Sequence, residues 1–319
     1  MKRRTWIAET LDDAGAKAQY DGHVKRILGS RQVLARILKG AVAEYKNYSP
    51  EEIEAWIEPG IEIANTSLRP GEKERKTLLI TGDNTESRVP GEGTVTYDIR
   101  FRAYVPRRKR AETVKLLVNV EAQKKFYQKY RIVTRGIFYG ARMLSEQLDR
   151  EFSDSEYDDL KKVCSIWICM NAPAHIGNAM AEYRISERNI IGRIPQRKES
   201  YDKLSVVIIC LNENDDRNQK EGLHGFLNTL LSPSMGAAKK EEILARDYGI
   251  EAEEEMGEEL RQMCNLSEAI EEKGIEKGLA QGISLAKKVM RYVREGCSDK
   301  EIAELCGITM EQVHAITED

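Results

Sequence analysis

Val95–Val105 reads VTYDIRFRAYV and Lys115–Ala122 reads KLLVNVEA, with a short charged stretch, Pro106–Glu112, between them. Apolar and polar residues alternate in the first run, which is the period-two signature of a half-buried strand. The second run and the intervening turn complete the pattern of an antiparallel pair. In the first strand Val95, Tyr97, Ile99 and Phe101 share one face, and Thr96, Asp98, Arg100 and Arg102 share the other. In the second, Leu116, Val118, Val120 and Ala122 oppose Asn119, Glu121 and Gln123. If the two apolar faces rest on the same layer, Asp98 and Glu121 project to the same side of the sheet. Gln123 then lies one pleat beyond Glu121.

Outward from this hairpin, helical and extended patterns alternate. Residues 23–46 carry Ile27, Leu34, Leu38, Ala41 and Tyr45 at helical spacing, interrupted or capped at Gly29-Ser30. Residues 59–94, rich in proline and glycine, read as loop, with Leu78–Thr81 a short strand candidate. Residues 131–150 return to helix. Val163–Met170 and Leu204–Leu211 are apolar enough to lie inside a sheet, and residues 181–190 suit an edge strand between them. From about residue 222 the chain is helical: Leu223–Leu231, Ala237–Tyr248, and a long helix over about 258–295. This order predicts an α/β core over residues 1–235 with a C-terminal helical tail over 236–319.

Composition narrows the class. The 319 residues carry 50 Lys+Arg and 53 Asp+Glu, a net charge of −3. No run approaches the length of a membrane-spanning helix, and the N-terminus lacks the apolar stretch of a secretory signal. No membrane association is therefore expected. Six cysteines are scattered without a Cys-x-x-Cys pair, which suits reduced thiols in a cytoplasmic protein better than a zinc cluster or a disulfide framework. The near-neutral total hides a segregation. Residues 98–142 hold thirteen Lys/Arg and three Asp/Glu, a local charge of +10, whereas residues 251–273 hold nine acids and two bases. Two of the three acids in the basic segment are Asp98 and Glu121.

Two carboxylates on adjacent strands, isolated in a basic field, suit a site for a hard cation and a polyanion together. Magnesium is held by one or two carboxylates plus water and phosphate oxygens, and it polarises a phosphoryl group and acidifies a bound water. The bland alternative is a solvated sheet face whose basic charge is balanced elsewhere. Arg135, Tyr139 and Arg142 recur on one face of the following helix, roughly opposite Val133, Ile137, Gly140 and Leu144. That face either offers Arg135 to a phosphate or is an ordinary surface. Glu44, on the largely apolar face of its helix, is either a helix-end group reaching solvent or an inward-facing ligand.

These residues bear a family resemblance. Val95–Val105 (VTYDIRFRAYV), Val118–Gln123 (VNVEAQ) and Tyr130–Gln147 (YRIVTRGIFYGARMLSEQ) resemble the PD-(D/E)xK nuclease-family transposases, bacterial proteins related to the Rpn recombination-promoting nucleases. Lys162–Pro173 (KVCSIWICMNAP), Leu227–Pro233 (LNTLLSP) and Met263–Gly282 (MCNLSEAIEEKGIEKGLAQG) extend the likeness over most of the chain. The resemblance implies a restriction-endonuclease-like core, a central mixed sheet flanked by helices, and a metal-dependent DNA endonuclease using Mg²⁺, with Mn²⁺ as a substitute. By it, Asp98 and Glu121 look like the hairpin's metal ligands, and Glu44 like the acid from the N-terminal helix, with Glu92 as a rival. Gln123 looks like the position usually occupied by lysine, and Arg100, Arg102, Lys124, Arg135 and Arg142 like contacts to the DNA backbone. Glutamine can orient a water but adds no charge. The alternative is therefore a catalytically weak or inactive protein on the same fold that binds DNA and self-associates.

The tail carries two further patterns. Gly274, Gly278 and Gly282 recur every four residues along the long helix. This stripe either allows close contact between helices of two copies, giving a homo-oligomer, or is low-complexity drift. Beyond it, Ser298 can cap one helix, Gly307 can end it and Thr309 can cap the next, as in a small helix-turn-helix. Its second helix, Met310–Ile316, has no Arg or Lys, which favours packing over groove reading.

Overall fold

The computed structural model describes residues 6–63, 86–89, 93–106, 113–123, 126–127, 129–215, 222–251 and 253–317. Among them the chain opens with α1 (Trp6–Leu28), α2 (Arg31–Ala41), a 3₁₀ turn at Ala43–Tyr45 and α3 (Pro50–Trp56). Five strands follow: β1 (Glu62–Ile63), β2 (Glu86–Val89), β3 (Gly93–Thr96), β4 (Ile99–Pro106) and β5 (Thr113–Gln123). Then come α4 (Ile132–Ser145), β6 (Lys162–Cys169), β7 (Ala179–Arg184), the single turn α5 (Lys198–Tyr201) and β8 (Leu204–Cys210). The chain ends in helices: α6 (Gly222–Leu231), α7 (Ala237–Tyr248), α8 (Glu254–Arg294), α9 (Asp299–Cys306) and α10 (Met310–Thr317).

The fold is α/β. Six strands form one mixed sheet in the order β1-β4-β5-β6-β8-β7, while β2 and β3 form a separate hairpin. β4 and β5 pair antiparallel in the register Ile99↔Val120 and Phe101↔Val118. β5, β6 and β8 run parallel, and β7 closes the edge antiparallel to β8. The centre is parallel because β6 (KVCSIWIC) and β8 (LSVVIIC) are nearly unbroken apolar runs, and every residue of both is buried. β7 alternates instead (AMAEYR), is mostly exposed, and takes the edge.

The hairpin differs from the sequence reading in one respect. The run from Val95 is not one strand: β3 ends at Thr96, the chain bends at Asp98, and β4 begins at Ile99. The bend leaves Asp98 one step beyond the Ile99–Val120 pair, level with Glu121. The helix expected over 23–46 is likewise broken, at Gly29-Ser30, and again after Ala41. Leu78–Thr81 lies outside the described residues.

α4 covers one face of the sheet, over a core that includes Leu117, Val163, Trp167, Leu204, Val206 and Met143. Two glycines set its approach. A Cβ at Gly140 would sit 2.4 Å from Leu204 Cδ1, and one at Gly136 would sit 2.7 Å from Val206 Cγ1 and 2.9 Å from Trp167 Nε1. The helix therefore lies closer to the strands than any side chain there would allow. The sequence reading set Arg135, Tyr139 and Arg142 on a face roughly opposite Val133, Ile137, Gly140 and Leu144. In the structure Gly136, Tyr139, Gly140, Arg142 and Met143 are buried, Val133 and Leu144 pack partly buried against the same core, and Ile137 and Phe138 are exposed. Tyrosine and arginine can bury their apolar bodies while their polar tips find partners, so they fit a close-packed face that periodicity scores as polar.

The chain divides into two compact units, residues 17–264 and residues 1–16 with 265–319. The division falls inside α8, whereas the order of elements in the sequence set core and tail apart at 235–236. Residues 236–264 are tied to the first unit by several bonds. The fully buried Lys240 ammonium donates to the carbonyls of Leu230 and Ser232, Arg36 donates to the Tyr248 carbonyl, and Arg26 pairs with Glu259 at 2.8 Å. In the second unit, Val289 of α8, Ile302 and Ala303 of α9 and Val313 of α10 form a small core. Ser298 and Glu301 form the capping box of α9, Gly307 ends it with φ of 67°, and Thr309 accepts from the Gln312 amide. The helix pair read from these caps is present. No helix among the described residues is long and apolar enough to cross a membrane. All six cysteines are free, four of them buried.

Candidate active site

Asp98 and Glu121 meet at the carboxyl end of β5. The Asp98 N–H donates to Glu121 Oε1 at 3.0 Å, and the Ala122 N–H donates to Asp98 Oδ2 at 3.0 Å. Each carboxylate is thus held by the backbone of the other's segment, a reciprocal clamp made possible by the bend that ends β3. The Asn119 side chain donates to Glu121 Oε1 at 3.3 Å. Parallel α/β sheets place ligands beyond the carboxyl ends of their strands, and this pair occupies such an end.

The pair is electrostatically stressed. Glu121 is 2% exposed, and burial pushes its carboxyl up to about 8, with the negative charge of Asp98 adding to the rise. The Asp98 N–H, the Asn119 amide and the positive charge of Arg135 act the other way. Among the described residues one direct cation is present: Lys25 Nζ of α1 lies 2.7 Å from Asp98 Oδ1. Sequence reasoning missed this contact, because 73 residues separate the partners and no local pattern marks Lys25.

Arg135 of α4 stands beside the pair. Its guanidinium donates to the Tyr139 hydroxyl at 2.7 Å and to the Tyr130 hydroxyl. It also lies 5.0, 4.9 and 5.3 Å from the ring centres of Tyr130, Tyr139 and Trp167. This aromatic cradle fixes a planar cation without neutralising it. Gln123, two residues past Glu121 on the same face, is half-buried at the strand's end, level with Cys169 of β6.

The other expected residues lie elsewhere. Glu44 sits on the 3₁₀ turn, and its carboxylate is 2.6 Å from Lys162 Nζ. Lys162 pairs with Leu116, five residues before Glu121, and by strand alternation points to the opposite face. Five strand residues span about 17 Å, so Glu44 is not brought to the acid pair. Arg100 is 2% exposed and ion-paired with Glu146, and Arg102 pairs with Glu151 at 2.6 Å. Arg142 is buried beside the Phe138 ring. Arg100 and Arg142 are thus buried in the fold, while Arg102 is partly exposed and tied to Glu151. Lys124 and Glu92 fall outside the described residues. Among the described residues no group of three or more His, Cys, Asp and Glu converges, so the candidate centre has two carboxylates and no third acid.

That donor set fits a hard divalent cation. Both ligands are oxygen anions, one is buried at the cost of a raised pKa, and a positive charge between them would relieve the stress that burial and mutual repulsion create. Comparison with protein-family models, curated proteins and solved structures finds no match for this chain.

Proposed function

We propose that this chain is a divalent-cation-dependent DNA endonuclease on a restriction-endonuclease-like, PD-(D/E)xK type of core. The observation that carries the reading is the clamp between Asp98 and Glu121 at the carboxyl end of β5. In this reading Asp98 and Glu121 hold Mg²⁺, or Mn²⁺ in its place, which when bound supplies Lewis acidity toward a phosphodiester and a more acidic water. Gln123, on the same face, orients the attacking water through its amide. Arg135, held in its aromatic cradle, contacts a phosphate oxygen, and the basic segment over 98–142 draws the polyanion in. The cytoplasmic setting and the DNA partner belong to the same proposal.

Nicking of supercoiled, linear and single-stranded DNA with Mg²⁺ and with Mn²⁺ tests it. Metal-dependent cleavage that is lost in Asp98→Ala and in Glu121→Ala is the expected result. Cleavage that persists in both variants sinks the assignment.

A second reading, a catalytically weak DNA-binding protein that self-associates, is favoured by the uncharged Gln123 and by α8. Between residues 271 and 284 that helix is exposed on every side, with Ile275, Leu279 and Ile283 turned to solvent. Calorimetric titration with Mg²⁺ separates the readings: salt-sensitive DNA binding without cation binding favours the second.

A further inference from the structure

Lys25 supplies one positive charge to the acid pair, whereas Gln123, at the end of the same strand as Glu121, supplies none. We infer that Lys25 of α1 is a catalytic residue of the proposed nuclease, contributing from a distant helix the ammonium that Gln123 lacks; the inference rests on the nuclease reading of Asp98 and Glu121.

The geometry supports it in three ways. Lys25 Nζ is 2.7 Å from Asp98 Oδ1, while the other Asp98 oxygen is engaged by the Ala122 amide. The two side chains are 20% and 18% exposed, sheltered yet reachable by a substrate. The stretch of α1 that carries Lys25 is pinned on either side of it, since His23 Nδ1 and Arg26 Nε both reach Glu259 Oε2, at 2.5 and 2.8 Å. The helix is held, whereas the four-carbon stem of Lys25 stays free to pivot. Were Asp98 to hold a divalent cation, the Lys25 ammonium would be freed from that carboxylate and could meet a phosphate oxygen instead.

The step balances without a redox partner. A water oxygen adds to phosphorus as the bond from phosphorus to the leaving oxygen breaks. The water's proton reaches the leaving oxygen through solvent. Lys25 stays protonated throughout, and its charge opposes the negative charge that builds on the non-bridging oxygens.

Full-length wild type, Lys25→Met, Lys25→Arg and the double variant Lys25→Met/Gln123→Lys are compared. The readouts are plasmid nicking with Mg²⁺ and calorimetric titration with Mg²⁺ alone. Lys25→Met is expected to slow nicking about 100-fold. Mg²⁺ should bind it at least as tightly as wild type, because a competing cation has gone. Lys25→Arg and the double variant are expected to recover nicking at least about tenfold over Lys25→Met. Lys25→Met that nicks at the wild-type rate while Asp98→Ala does not overturns the inference and leaves the nuclease reading standing. So does a folded Lys25→Met whose Mg²⁺ affinity falls and whose nicking neither Lys25→Arg nor Gln123→Lys recovers, since the lysine would then only hold the site's shape. A wild-type protein that neither nicks DNA nor binds Mg²⁺ overturns both readings together.

Discussion

Two acidic pairs, each facing a lysine, occupy opposite ends and opposite faces of one sheet. At the amino end of β6, Lys162 lies 2.6 Å from Glu44 and 3.1 Å from Asp202, and Lys198 adds a second cation 3.4 Å from Asp202. Two lysines there meet two carboxylates, and the charge closes. At the carboxyl end of β5, among the described residues, Lys25 is the one cation in direct contact with Asp98, and Glu121 carries a raised pKa. A balanced cluster is what a fold needs. A carboxyl that burial keeps protonated beside a second carboxylate, both held by backbone amides, can release its proton when a cation takes its place. Under the proposed function the first pair is structural and the second chemical, although the resemblance grouped Glu44 with Asp98 and Glu121.

The largest effect expected from this contrast is on cleavage. Asp98→Asn and Glu121→Gln should each reduce metal-dependent nicking by more than about 100-fold. Glu44→Gln should leave it within about twofold. Loss of nicking in Glu44→Gln in a protein of wild-type melting temperature would reverse the assignment of the two pairs.

Stability should show the opposite ranking. Lys162→Met strands Asp202, 7% exposed, and the half-buried Glu44 without their shared cation, at a cost of about 3 kcal/mol. Lys25→Met removes a more exposed bond and should cost below about 1 kcal/mol. Urea denaturation of the two variants gives both numbers. Equal losses would mean that Lys25 is as structural as Lys162.

The docking of α4 positions Arg135, so its close approach can be attacked directly. Gly136→Ala should cost about 1–3 kcal/mol, because the new methyl would meet both Val206 and the Trp167 indole inside the core. Gly140→Ala meets a leucine tip, which can turn aside, and should cost less. If nicking falls in Gly136→Ala well beyond its loss of folded protein, Arg135 has been displaced from the acid pair.

Much of this was legible in the sequence. Alternation gave the β4–β5 pair and the common side of Asp98 and Glu121, because strand periodicity is local and register follows from a short turn. The apolar runs of β6 and β8 gave the buried centre, and caps at Ser298, Gly307 and Thr309 gave the last two helices. What failed was long-range or depended on tertiary packing. Helical spacing could not show that Glu44 leaves its helix for a 3₁₀ turn and an ion pair with a residue 118 positions away. Net charge could not show that Arg100 and Arg142 are buried in the fold and Arg102 is tied to Glu151. Nor could polarity foretell that two glycines would let α4 bury its tyrosine and arginine face. The Asp98–Glu121 contact was foreseeable and Lys25 was not, since one follows from strand register and the other from where a helix happens to cross.

The last contrast is a pH dependence, which one pair has and the other lacks. In the folded chain Glu121 keeps its proton up to about pH 8, whereas an unfolded glutamate releases it near 4.5. Between those values the unfolded chain holds fewer protons, so the contribution of Glu121 to stability falls as pH rises and is lost above about 8. Glu121→Gln cannot titrate and should melt with a flatter dependence across pH 5–8, being relatively more stable than wild type at the upper end. Lys162 behaves differently: its charge is held by Glu44 and Asp202, its pKa is raised despite burial, and what it contributes is fully present throughout that window. A folded Lys162→Met should therefore be destabilised by a similar amount at pH 5.5 and pH 8, as measured by thermal melting. A wild-type profile as flat as that of Glu121→Gln would mean that Glu121 is ionised and already compensated, and the carboxyl end of β5 would then be as balanced as the amino end of β6.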